Sequence, residues 1–145
     1  MKLTNSQEEY LVAIYDLSIQ DKNVRVTDIA KRLNITKPSV NKAINNLKEL
    51  EFVNYEKYSN VSLTNSGEEM AKEILRKQDI IYIFLDKIVG VEDKIALEES
   101  IAMKHVISED TTEKLNKYIF ENFNLECDFD VSNKLCKTCI KLRKK

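Results

Sequence analysis

The sequence is short of helix breakers and of the residues that build metal or acid–base centres. Its 145 residues include two glycines, one proline and one histidine. So few turn formers, with 32% charged residues, point to a mainly helical protein with one short hairpin. A lone histidine excludes a site made of several imidazoles. With no phosphate-binding glycine loop and no nucleophile–base pairing, the expectation is that the chain is not an enzyme. No apolar run is long enough to span a bilayer, and there is no signal-peptide pattern. The expected location is therefore the cytoplasm, without a membrane partner. Three cysteines, all after residue 126, make no disulfide framework.

Net charge, −1, says little, but its distribution says more. Residues 29–48 hold five basic side chains (Lys31, Arg32, Lys37, Lys42, Lys48) and no acidic one. Residues 86–130 hold twelve acidic residues against five lysines. From Lys134 to the end there are six basic residues and no acid. A basic patch within an otherwise acidic chain is an electrostatic footprint for phosphate.

That patch coincides with a recognisable layout over residues 25–64. Thr27 is placed to cap a helix with Ile29, Ala30 and Leu33 as its apolar positions. Asn34 suits the following turn, because Asn tolerates left-handed backbone. Ile35 fills the space between two helices. Thr36 caps the second helix, and Pro38 falls in its first turn, where a missing N–H costs nothing. Val40, Ala43, Ile44 and Leu47 form its buried stripe. Thr36, Lys37, Pro38, Ser39, Asn41, Lys42 and Asn45 lie at its start or on its outer face. Ser and Asn can hydrogen-bond base edges, and Lys can reach guanine or phosphate. Val53–Glu56 and Val61–Thr64 alternate like two strands, with Lys57, Tyr58 and Asn60 at the tip between them. Two helices, a tight turn and a hairpin make a winged helix-turn-helix, which places one helix in the major groove of DNA.

A helix over Gln7–Ser18 precedes this unit, with Ser6 and Glu9 spaced as a capping box. After it, a long helix is expected over Asn65–Lys87, broken by Val89-Gly90-Val91. Further helices follow over Glu92–Ile107 and, capped by Ser108, through Phe123. The expected fold is mainly α: an N-terminal winged helix-turn-helix domain (1–70), a C-terminal helical dimerisation domain (71–124) and a cysteine-containing basic tail (125–145). A helical unit this small buries little surface alone, so a homodimer on a palindromic operator is the expected assembly.

The segments SQEEYLVAIYDL, VTDIAKRLNITKPSVNKAINNLKELEFVNYE, LTNSGEEMAKEILRKQ, FLDKIVGV and MKHVIS, in that order, resemble the diphtheria-toxin-repressor and manganese-transport-regulator family. TKPSV and LTxxGxxxA are the most specific pieces. The resemblance covers residues 4–123 and looks like the short form without an SH3-like third domain. It implies a dimeric repressor of metal-uptake genes with Mn²⁺ or Fe²⁺ as corepressor. The family's ligand positions fall here on Glu9, Val12, Gln78, Ile101, Lys104 and His105. Only Glu9 and His105 keep a good ligand, while Gln78 can offer a carbonyl oxygen. Mn²⁺ and Fe²⁺ want several carboxylate or imidazole donors. Two readings of this place follow. Either Lys104 stands in for the ion, pairing with Glu9 and leaving a constitutive DNA binder, or sensing has moved elsewhere.

The tail is where it could have moved. Cys127, Cys136 and Cys139 form C-x8-C-x2-C, and a C-x2-C pair can bite one Zn or Fe–S centre. A fourth ligand would have to come from Asp128, His105 or a partner subunit. Lys134, Lys137 and Lys141 would favour thiolates. A redox-active thiol pair and a phosphate-binding basic tail are the other readings.

Overall fold

A computed structural model describes residues 2–123 and the backbone of two short strands beyond them. The chain divides between Ala71 and Lys72 into two compact units.

In the first unit, α1 (Asn5–Gln20) buries six consecutive residues, Tyr10 to Tyr15. A helix apolar on every side belongs in the middle of a fold, and α1 packs on α2 (Val26–Leu33), α3 (Lys37–Glu49) and strand β2 (Ser62–Leu63). Its cap is Thr4, not Ser6. The Thr4 hydroxyl accepts from the Gln7 N–H at 3.1 Å, and Gln7 Oε1 accepts from the Thr4 N–H at 2.9 Å. The box therefore lies two residues earlier than Ser6 and Glu9 suggest, because the T-N-S-Q spacing satisfies both orphan N–H groups. Likewise α2 starts from Arg25 rather than Thr27, since Asp28 Oδ2 accepts the Arg25 N–H at 3.0 Å.

The turn from α2 to α3 follows the sequence reading. Asn34 is left-handed (φ 54°, ψ 51°), and the Ile35 N–H returns to the Ala30 carbonyl at 3.0 Å. Thr36 caps α3, and Val40, Ile44 and Leu47 are fully buried. The hairpin is shorter than the alternation suggests. Strand β1 (Val53–Asn54) pairs antiparallel with β2, Val53 opposite Leu63. Val61 instead bridges Val24, its N–H on the Val24 carbonyl at 2.8 Å, which ties the wing to the loop before α2.

Helix α4 (Asn65–Ile83) starts at a tight junction. Thr64 takes the Gly67 N–H on its hydroxyl at 3.0 Å, donates that hydroxyl to the Glu51 carbonyl at 2.7 Å, and gives its own N–H to the Phe52 carbonyl at 3.0 Å. A Cβ at residue 67 would collide with that same Phe52 carbonyl. The LTxxG pattern is thus a packing requirement: only glycine lets the helix start this close to the wing.

The second unit contains the end of α4, a π-helical turn (Phe84–Val89), α5 (Asp93–Met103) and α6 (Glu109–Phe123). Its core is Ile80–Ile83, Leu85, Ala96 and Ile119, with Phe84 and Ile88 packed against it. The α-helix does not run to Lys87 as its spacing predicts. Six apolar residues in a row, Ile80–Leu85, overfill one α-helical stripe, and the wider turn brings Leu85 into the cluster with its neighbours. Gly90, left-handed at φ 85°, ends it. Helix α5 also stops early, at Met103, where the Val106 and Ile107 N–H groups both turn back to the Met103 carbonyl. Ser108 then caps α6 as expected, accepting the Thr111 N–H at 3.2 Å. Tyr118, Phe120 and Phe123 of α6 are exposed, whereas Ile119 is buried. Beyond α6, backbone strands β3 (Phe129–Asp130) and β4 (Leu135–Cys136) pair antiparallel.

Candidate functional site

The outer face of α3 and the wing border an open groove in the first unit, of about 1030 Å³. Lys37, Asn41, Asn45 and Lys48 line one wall. They recur at steps of three and four, so one helix face carries them all. Tyr55 to Asn60 form the other wall, and Arg25, Val26 and Thr27 close one end. The polar groups are held in place by the fold. The Tyr55 hydroxyl lies 3.4 Å from Asn41 Oδ1. Lys48 approaches Glu56 at 3.8 Å. The Asn60 amide donates to Asn23 Oδ1 at 2.9 Å and ties the wing down. At the tip, Tyr58 is left-handed (φ 68°) and 92% exposed, with the Lys57 ammonium 5.2 Å from its ring centre.

Of the residues singled out from sequence, Lys37, Asn41, Asn45, Lys57, Tyr58 and Asn60 come together at this groove. Thr36, Pro38, Ser39 and Lys42 are exposed at the start of α3 but do not line it. The Thr36 hydroxyl is occupied as the helix cap, accepting from the Ser39 N–H at 3.4 Å and donating to Ser39 Oγ at 2.9 Å. Lys48, Tyr55, Arg25 and Thr27 were missed as groove residues. Lys48 was legible, since it continues the 37–41–45 series by three. Arg25 caps α2 and Thr27 lies in its first turn, and only the fold brings them to the wing. One cation of the basic run is structural: Arg32 pairs with Asp16 at 3.1 Å, locking α2 to α1.

The positions that the family resemblance assigns to metal ligands look different. Val12 is a core residue of α1, and Glu9 is half-buried on the same helix. In the second unit, Gln78 and Lys104 are each 4% exposed, and Lys104 Nζ donates to Gln78 Oε1 at 3.0 Å. Ile101 and His105 are half-buried. Among the described residues no group of three or more His, Cys, Asp or Glu side chains is placed to hold a metal ion. These residues do not fit a divalent-metal site: an apolar side chain donates nothing, and an ammonium repels the ion. Cys127 and Cys139 lie outside the described residues, and Cys136 is described only by its backbone in β4.

Residues 2–61 match the family model "Iron dependent repressor, N-terminal DNA binding domain", and residues 64–122 match "Iron dependent repressor, metal binding and dimerisation domain". An uncharacterized HTH-type transcriptional regulator of Methanocaldococcus jannaschii is 39% identical over 83% of this chain and 97% of its own. The chain belongs to the iron-dependent repressor family. A second relative, the HTH-type transcriptional regulator MntR of Shouchella clausii, is 31% identical over 82% of this chain and 85% of its own. Among solved structures, T. acidophilum IdeR superimposes with a TM-score of 0.71 at 26% identity, over 83% of this chain. The chain spans about half, 55%, of that protein's length. This member of the iron-dependent repressor family therefore carries a DNA-binding domain and a dimerisation domain, on a mainly helical winged-helix architecture. No helix among the described residues is long and apolar enough to cross a membrane.

Proposed function

We propose that the protein is a cytoplasmic, non-enzymatic repressor that binds a palindromic operator as a two-fold dimer, with α3 in the major groove and the wing on the flanking backbone. One observation carries this reading. The basic and amide side chains of α3 lie in a single row facing a wing that presents Lys57, Tyr58 and Asn60 across an open groove. Lys37 and Lys48 supply charge toward phosphate or guanine. Asn41 and Asn45 supply paired donors and acceptors suited to base edges. The domain boundaries near residue 70 and residue 124 follow the same division of labour. Exposed Tyr118, Phe120 and Phe123 on α6 offer the second copy an apolar surface, and a two-fold dimer sets half-sites about one DNA turn apart.

The test is selection of operators from a random duplex library, followed by anisotropy titration at several salt concentrations. Affinity is expected to fall steeply with salt. Lys37→Ala should lower the log–log salt slope by about 1 without changing sequence preference. Asn41→Ala should cost about 1–3 kcal/mol and relax preference at one position of each half-site. A library that yields no enriched sequence, or both variants binding like the parent chain, would sink the reading.

A further inference from the structure

The matched C-terminal family model is described as metal binding, yet the chain supplies its own cations where this unit needs cross-linking. Three side chains tie the α4 segment 76–78 to the α5–α6 region. Lys104 Nζ reaches Gln78 Oε1 at 3.0 Å. Running the other way, Lys77 Nζ donates to the Ile107 carbonyl at 2.8 Å. Arg76 pairs with Glu113 at 2.6 Å and approaches Glu109 at 3.6 Å. Lys104 and Gln78 are both buried. An ammonium beside a buried amide oxygen does what a bound ion does beside an oxygen donor: it satisfies the oxygen and links two segments. It is also tethered to the chain, so it cannot be removed by chelation.

We infer that Lys104 is a built-in replacement for a divalent ion in this unit, and that the protein binds its operator without Mn²⁺ or Fe²⁺. Part of the argument is exclusion. A second cation placed beside Gln78 would meet the Lys104 ammonium within a few ångströms, and like charges in a buried site repel strongly. Ile101, three residues before Lys104 on α5, brings no donor, and His105 is the one imidazole of the chain. Among the described residues no set of three His, Cys, Asp or Glu side chains stands there to offset that repulsion. The other part is sufficiency. Lys104 and Lys77 already join α4 to the segment that follows α5, with no ion between them.

The inference rests on the regulatory reading for its DNA half only, so its test has two readouts. Purified full chain, with Cys127, Cys136 and Cys139 changed to serine to remove thiol ligands, is titrated with MnCl₂ and free Mn²⁺ is followed by electron paramagnetic resonance. The parent chain is titrated onto the selected operator with MnCl₂, with FeCl₂ under anaerobic conditions, and with EDTA. The expected results are no Mn²⁺ uptake at micromolar metal and operator affinities that agree within about twofold in all three solutions. Uptake of about one Mn²⁺ per chain would overturn the inference. So would operator affinity that rises about tenfold or more with either metal. If no DNA binds under any condition, the regulatory reading fails, and the Mn²⁺ titration alone still decides whether Lys104 excludes the ion.

Discussion

The two units of this chain keep their polar groups for opposite purposes. In the first, the polar side chains of α3 and the wing face open groove, and the core beneath them is wholly apolar: Val40, Ile44 and Leu47 are fully buried. In the second, a lysine and a glutamine are turned inward and hydrogen-bond each other out of reach of water. The comparison teaches that family membership carries over unequally. A DNA-reading surface needs donors on the outside of a stable helix, and each can change with little effect on folding. A buried site changes only if its partners change together, because an unpartnered buried polar group costs about 1–3 kcal/mol.

That contrast can be broken first at the core of the reading head. Ile44→Ala should destabilise the protein by about 2–5 kcal/mol, read by denaturant unfolding, with operator affinity lost only as the head unfolds. A small effect would mean that α3 is held by something other than its buried stripe. Gly67→Ala comes next. The added Cβ meets the Phe52 carbonyl, and overpacking of this kind costs about 1–3 kcal/mol. If the variant were as stable as the parent chain, the wing–helix junction would be looser than described. The contrast is sharpened by Lys104→Met. It strands Gln78 Oε1 and should cost about 1–3 kcal/mol, with Gln78→Leu/Lys104→Met recovering part of the loss in a double-mutant cycle. Additive losses would show that the two side chains do not act as a pair. The smallest effect belongs to the head's surface: Asn45→Ala should leave thermal stability within about 0.5 kcal/mol while weakening operator binding.

Local signals were the most legible. Thr36, Pro38 and Asn34 marked the helix-turn-helix because capping, a tolerated first-turn proline and a left-handed Asn depend on neighbours only. The start of α6 at Ser108 was legible for the same reason. Caps failed where two acceptors competed within a few residues, at Thr4 against Ser6 and at Asp28 against Thr27. The π-helical turn was hidden, because periodicity reports which residues are apolar and not how a run of six is accommodated. The groove was half legible: Lys37, Asn41 and Asn45 follow one helix face, whereas Arg25 and Thr27 reach it only through the path of the chain.

By itself the sequence determined the mainly helical class, the winged helix-turn-helix and the scarcity of donors at the positions that the family resemblance assigns to ligands. All three depend on residue type and short spacing. Only the tertiary structure decided that Lys104 is buried and that its ammonium meets Gln78. Gln78 and Lys104 stand 26 positions apart, and no local rule links residues that meet through the packing of two helices. The same holds for Gly67, whose necessity appears only when the Phe52 carbonyl is found against it.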